Sequence, residues 1–503
     1  MKRCANLFLP ILGLTGLLWI ATTTVVPADS SEKTAPSIVG LGQIDFPTSG
    51  PSDAQPWFVR GVLLLHNFQY DDAKEAFQQA QRIAPDFAMA YWGEAMTENH
   101  PLWGEQNLKE GRTILSRLAS DPKVRLAKAS TKREQGYIRA VEALYGTGNK
   151  QARDRAYADA MRQLSEEFPH DLEAKAFLAL AMLGSAQGQR DTATYMQAAA
   201  IAEDVFRKNP EHPGAVHYLI HSYDDPIHAP LGLHAAQIYS SLAPAASHAQ
   251  HMPSHIFMAL GMWEDVIASN EASWASSEAR IAQQGLTILA RPYHTLKWLM
   301  YAYLQIGKKE EAKRVLTIIE EDAQQSQSRY AREYRASMRA IYTIETQEWK
   351  TSHLNDDRSG LRLSFAASEL FAIGMSAVHT NNLSVAQQAL DQLTERLNRQ
   401  GDASLSQDEV AGRSMAKELE GMILFQESNT QKALTVLREA AALEDSLPYD
   451  YGPPIPIKPT HELLGEIYTE LDQPQKAKEE FEQALKRAPK RRLSLKGLTS
   501  LGM

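Results

Sequence analysis

Cysteine is nearly absent: the 503-residue chain holds one, Cys4. That excludes an internal disulfide and any thiolate cluster, so a bound metal has to be held by nitrogen and oxygen. Cys4 sits in an N-terminal segment where Lys2 and Arg3 precede an apolar run from Ala5 to about Val26. Small residues at Val26-Pro27-Ala28 then follow, the layout of a secretory signal peptide cleaved after Ala28. The run is a little long for that purpose, which keeps an uncleaved N-terminal anchor as the alternative. Export to the periplasm or beyond is the expectation either way. No later apolar stretch is long enough to span a bilayer. Positive charge is also short, with 52 Lys and Arg against 61 Asp and Glu. The only basic run, at 486–492, reads as the solvated face of a last helix, so nucleic acid is not an expected partner. No nucleophile elbow, phosphate-binding loop or dinucleotide fingerprint stands in a suitable context. The HELLGE segment beginning at His461 is not the HExxH of zinc proteases. Nothing in these motifs assigns a reaction.

What is present is helical and periodic. Trp57, Gly61, Ala73, Phe77, Ala80 and Pro85 carry a pattern that Leu464, Gly465, Tyr468, Ala477, Phe481, Ala484 and Pro489 repeat near the C-terminus. The small residues let paired helices cross closely, and the proline ends the second of them. Tyr303, Ala312 and Leu316 mark another unit, and Gly421, Ala433, Leu437 and Ala440 a further one. No useful strand-like alternation competes. In these residues the chain resembles the tetratricopeptide repeat (TPR) family, over most of 56–490. The resemblance implies an all-α, right-handed helical solenoid. Residues 29–55, rich in Ser, Pro and Gly, are expected to form a flexible linker after the leader at 1–28. An N-terminal solenoid then spans 56–350 and a C-terminal set of repeats 351–503, with turn composition at 351–360 between them. The segment 446–459 carries five prolines. It cannot be helical, and it is long enough to fold back over a groove.

Histidine is concentrated at the centre, with eight of 15 between His212 and His255. His217 and His221 return 34 residues later as His251 and His255, and 34 residues is one repeat. Two residues four apart share a helix face, so the two pairs fall at equivalent places, positions 5 and 9, on neighbouring first helices. Asp224 follows one turn after His221, and His294 falls at position 2 of a later repeat. The expectation is that His217, His221, His251 and His255 hold one transition-metal ion, with His294 and Asp224 as auxiliaries and His248 in reserve. Four neutral imidazoles suit zinc or copper above all, while calcium and magnesium prefer oxygen. Imidazole ligates only when neutral, so occupancy should fall as pH drops through about 6.5. Pro253 interrupts the second pair and threatens the shared face if the helix begins there. The metal-free alternatives are a groove for a peptide or protein partner, a buried hydrogen-bond network and a pH-sensitive surface. Glu94, with Glu98 four residues on, is a weaker candidate base or ligand.

The segments VHYLIHSYDD, HAQHMPSHIF and RPYHTLKWLMYAY resemble a group of exported bacterial TPR proteins with paired HxxxH helices, and are similar to tetratricopeptide repeat protein 38. The resemblance draws attention to His217, His221, His251, His255 and His294 and implies no shared reaction.

Overall fold

In the computed structural model the residues described are 36–186, 190–350, 354–399, 406–449 and 451–502. The expected leader at 1–28 lies outside them. The described chain is built of helical pairs, beginning with Gln55–His66 and Tyr70–Ile83 and ending with Thr460–Glu470, Pro474–Arg487 and a last helix, Arg492–Ser500. Its one sheet is the two-residue pairing of Asn99–His100 with Glu105–Gln106. The architecture is an all-α solenoid of the TPR type. Among the described residues no helix is long and apolar enough to cross a membrane.

The small-residue signature has a direct steric basis. A Cβ on Gly61 would stand 2.6 Å from the ring of Phe77, and one on Gly465 would stand 2.8 Å from Phe481. Both partners are fully buried aromatics of the second helix. Only glycine lets that ring press on the first helix, which is why the two positions occur together in sequence.

The expected linker proves to be structural over its described part. Residues 36–54 run across the helices as a strap, with Leu41 and Phe46 buried. Phe46 meets Phe58 at 5.1 Å and Tyr137 at 5.0 Å between ring centroids. The strap backbone finds partners too: the Gln43 N–H donates to the Glu211 carbonyl (2.8 Å) and the Ser49 N–H to Glu134 (2.6 Å). A Ser, Pro and Gly composition suggested mobility, yet a few spaced apolar anchors and satisfied donors fix the segment. At 354–362 the solenoid continues rather than dividing. Arg362 bonds Glu333 through its N–H (2.8 Å) and Nε (3.0 Å), tying helix Leu363–His379 to Arg329–Thr346.

The solenoid closes on itself. His66, at the end of the first helix, bonds the Tyr218 hydroxyl at 2.8 Å, and Gly214 leaves room for the His66 ring, whose Nδ1 a Cβ there would approach to 2.4 Å. From the other end, Arg491 reaches Tyr301 (3.1 Å) and the Arg492 N–H reaches Gln305 (2.9 Å). Contacts from the first helix and from the last repeats thus converge on the central helices, among which the histidines lie.

Candidate metal centre

Three neighbouring first helices supply the histidines: Pro213–Tyr223 carries His217 and His221, the segment Ser247–Ala259 carries His248, His251 and His255, and Tyr293–Gln305 carries His294. The break at Pro253 is mild. Met252, between helices Ser247–His251 and Pro253–Ala259, keeps helical dihedrals (φ −54°, ψ −37°). Proline cannot donate to its i−4 carbonyl, and across the junction the His255 N–H bonds the Met252 carbonyl at i−3 (3.1 Å). The ring centroids of His251 and His255 stay 5.1 Å apart, so the shared face survives.

The grouping differs from the expected quartet. Ligand atoms of His217, His221 and His248 lie within 4.8 Å of one another, and so do those of His251, His255 and His294. Among the described residues no such group unites His217 with His251. Two histidine triads therefore adjoin, and a further group, His221, Asp224 and His255, joins the two pairs with ligand atoms within the same 4.8 Å. The triads adjoin where His221 and His255 face each other at 5.1 Å. His248 thereby moves from reserve into the site. Its register, three residues before His251, is the register of His294, so the signal was present in the sequence.

The Nδ1 atoms of His217, His221, His251 and His255 face acceptors. His217 Nδ1 donates to the His66 carbonyl at 2.7 Å. His255 Nδ1 donates to Asp224 Oδ2 at 2.9 Å, and His221 Nδ1 lies 3.4 Å from the same oxygen. His251 Nδ1 bonds Asn270 Oδ1 at 2.6 Å, and the Asn270 amide is fixed by donating to the Val266 carbonyl at 2.7 Å. These acceptors place the proton on Nδ1 and leave the lone pair on Nε2, which is how metal-binding histidines are oriented. The Nε2 atoms of His217, His221, His248 and His251 are buried and, among the described residues, have no hydrogen-bond partner. An unsatisfied buried polar atom costs about 1–3 kcal/mol, so four together are comparable to the net stability of a domain.

Asp224 acts from behind the imidazoles. Its Oδ1 accepts from Arg190 at 2.7 Å. Burial would raise its pKa, but Arg190 and the hydrogen bonds of His221 and His255 hold it well below the usual carboxylate range. A permanently charged acceptor fixes the histidine tautomers.

Burial, reinforced by neighbouring imidazoles, pushes His217, His248 and His294 well below 6.5 and takes His251 to about 3. His255 falls to about 4, burial outweighing the pull of Asp224. In the unfolded chain these groups titrate near 6.5. Between those values the unfolded state binds protons that the folded state refuses, so stability is complete above about pH 6.5 and is lost as pH falls toward 4 and 3. Each such imidazole contributes about 1.4 kcal/mol per pH unit over that window. Metal-free protein is therefore expected to lose melting temperature steeply between pH 6.5 and 4, measured by circular dichroism. A flat profile would show that the histidines are not buried in neutral form.

Aromatic rings close the walls. Phe68, on the turn after the first helix, lies 4.2 Å from His217 and 5.5 Å from His248. It does so with φ 54°, a left-handed conformation that costs a bulky residue about 1–2 kcal/mol. Trp298 lies 4.6 Å from His255, and Tyr451 of the proline-rich segment lies 4.9 Å from the same ring. Residues 447–449 and 451–459 are non-helical, and Tyr451 packs against this side of the histidines. Phe68 and Tyr451 carry no local sequence signal, because long-range contacts bring them here, while Asn270 comes from the next helix of the same pair as His251. A cleft of about 780 Å³ opens beside the histidines, bordered by Tyr70, Trp103, His248, His251, His294 and Arg362.

The weaker candidates have structural roles. Glu94 is buried and receives Gln78 (2.8 Å), Gln81 (2.6 Å) and Arg117. Glu462 belongs to a buried ion network with Arg491 and Lys458. His228 bonds Asp225 at 2.8 Å, away from the triads. His66, Glu173 and His212 form another close group. There His66 engages Tyr218 and Glu173, while His212 Nδ1 accepts the Ala215 N–H and its Nε2 faces Glu173 at 3.1 Å. His66 has both ring nitrogens hydrogen-bonded, His212 Nε2 has no hydrogen-bond partner among the described residues, and the group links the first repeat to the central ones.

The tetratricopeptide repeat family model matches residues 54–87 and again 459–491. Among solved structures the chain is similar to a Rap protein complexed with competence and sporulation factor, at 14% identity, covering 78% of this chain and 98% of that one, with a TM-score of 0.40. It is also similar to the APC/C hetero-tetramer Cut9-Hcn1 (13% identity, 93% and 79% covered, TM-score 0.37) and to yeast Tom70 (10% identity, 89% and 88% covered, TM-score 0.32). No curated protein matches the sequence.

Proposed function

We propose that this TPR-type solenoid is a transition-metal protein whose interior histidines bind zinc or copper through Nε2. The observation that carries the reading is the set of buried Nε2 atoms without partners on His217, His221, His248 and His251, with Nδ1 of His217 and His251 held by an acceptor. A buried hydrogen-bond network, the metal-free account of clustered histidines, would pair those atoms as it pairs both ring nitrogens of His66. Neutral imidazole donors without a free carboxylate favour late first-row ions over calcium or magnesium. Three protein nitrogens per ion leave a coordination position for water or substrate, as in catalytic metal sites, and the cleft at His248 and His294 leads to it. A metal-dependent activity on a small molecule or peptide entering that cleft is the functional form this arrangement supports. Export, suggested by the leader-like residues 1–28, belongs to the same reading.

The second reading is a scaffold that receives a peptide or protein partner, favoured by the repeats themselves, which build extended binding surfaces. Against it, the inner surface is occupied by Phe68, Trp298 and Tyr451. Elemental analysis of protein purified without a histidine tag or a nickel column separates the two. Zinc or copper retained through dialysis is expected; protein that remains metal-free and does not take up added Zn²⁺ or Cu²⁺ would leave the scaffold reading.

A further inference from the structure

The six imidazoles repeat one device twice. His217 and His221 stand at positions 5 and 9 of one repeat, and His248 at position 2 of the next completes their triad. His251 and His255 stand at positions 5 and 9 one repeat later, and His294 at position 2 of the repeat after that completes theirs. The internal geometry is matched as well: ring centroids are 4.9 Å apart for His217 and His221 and 5.1 Å for His217 and His248, against 5.1 Å for His251 and His255 and 4.8 Å for His251 and His294. Two imidazoles on one tetrahedral ion, with metal–nitrogen bonds of about 2.0–2.1 Å, present nitrogens roughly 3.4 Å apart. Each triad can tighten to that spacing around an ion of its own. Bringing both triads onto one ion would require the repeats themselves to shift.

The triads are also near enough to cooperate. His221 and His255 are in ring contact at 5.1 Å, and His248 and His251 at 6.1 Å. Paired metal sites hold their ions about 3.5–4 Å apart with an oxygen between them. Charge asks for such an oxygen. Six neutral imidazoles bring no negative charge, and Asp224 is engaged by Arg190 through Oδ1 and by His255 through Oδ2. Two divalent ions in this interior therefore need an anion from outside, and His248 and His294 are the half-buried members that face the cleft.

Resting on the metal reading above, we propose that the centre is dinuclear. One divalent transition-metal ion sits on each triad, and a hydroxide, or another small oxygen anion, enters from the cleft and bridges them. The hydroxide arises from a coordinated water whose proton leaves to solvent, a loss that metal binding favours.

The test is stoichiometry. Full-length, tag-free protein stripped with chelator is titrated with Zn²⁺, and bound zinc is measured after gel filtration. Two ions per chain are expected, falling to one in His248→Ala and to one in His294→Ala, both with wild-type circular dichroism. One ion per wild-type chain overturns the dinuclear proposal and leaves the metal reading standing; none overturns both. Two ions retained in either variant also overturn it. Should the variants fail to fold, wild-type protein loaded with Cu²⁺ decides the matter by electron paramagnetic resonance. Bridged coppers couple, so the integrated spin falls well below the copper content, whereas a spin equal to two isolated ions per chain contradicts the bridge.

Discussion

His221→Ala is expected to lower zinc or copper affinity by more than about 100-fold, because losing a ligand should exceed the 10–100-fold usually lost with an outer hydrogen-bond partner. His228→Ala should leave affinity unchanged. Both histidines lie in the same dense stretch and differ in placement. His221 is one of three imidazoles in its triad and adjoins His255 of the other. His228 bonds Asp225 and precedes helix Ala229–Leu242, outside both triads. Competition with a chromophoric chelator gives the two affinities. Equal losses in the two variants would mean that metal associates with histidine-rich surface and not with a built centre.

Arg491→Ala is expected to destabilise the fold by about 3–5 kcal/mol, the cost of removing one partner from a buried ion network. Arg491 is fully buried. It donates to Glu462 through Nε (2.8 Å) and Nη2 (3.0 Å), to the Tyr301 hydroxyl (3.1 Å), and to Glu345. Glu462 also receives Lys458 at 2.9 Å, from the end of the segment that carries Tyr451. Alanine would leave Glu462 and Glu345 underpaired in the interior. It would also loosen the contact of the last repeats with Tyr293–Gln305, the helix that supplies His294. Lys486→Ala, on the surface, should stay within about 0.5 kcal/mol of wild type. Urea unfolding followed by circular dichroism measures both. A change below about 1 kcal/mol for Arg491→Ala would show that the network is dispensable.

How much of this was legible in the chain depends on the range of the interaction. The Gly61–Phe77 and Gly465–Phe481 pairs are contacts within a repeat, so consensus spacing reveals them. The recurrence of His217 and His221 as His251 and His255 is likewise a property of repeat geometry, and the fold sets both pairs on neighbouring helices with His221 and His255 in ring contact. Which imidazoles share an ion depends on how successive repeats are offset, and that offset is not written in any one repeat. The sequence suggested a quartet with Asp224 beside it, and the fold groups the histidines as two triads joined through His221, Asp224 and His255. The strap at 36–54 was misread because composition reports average mobility, while Leu41 and Phe46 act individually. Phe68 and Tyr451 reach the histidines because the solenoid closes from both ends, through contacts that no local pattern encodes.

X-ray absorption spectroscopy of the metal-loaded, tag-free protein examines the central claim most directly. Binding through Nε2 predicts a first shell of nitrogen and oxygen at about 2.0–2.1 Å for zinc, with the outer-shell scattering of about three imidazoles per ion and no sulfur. A first shell of oxygen alone, or scattering from at most one imidazole, would contradict it.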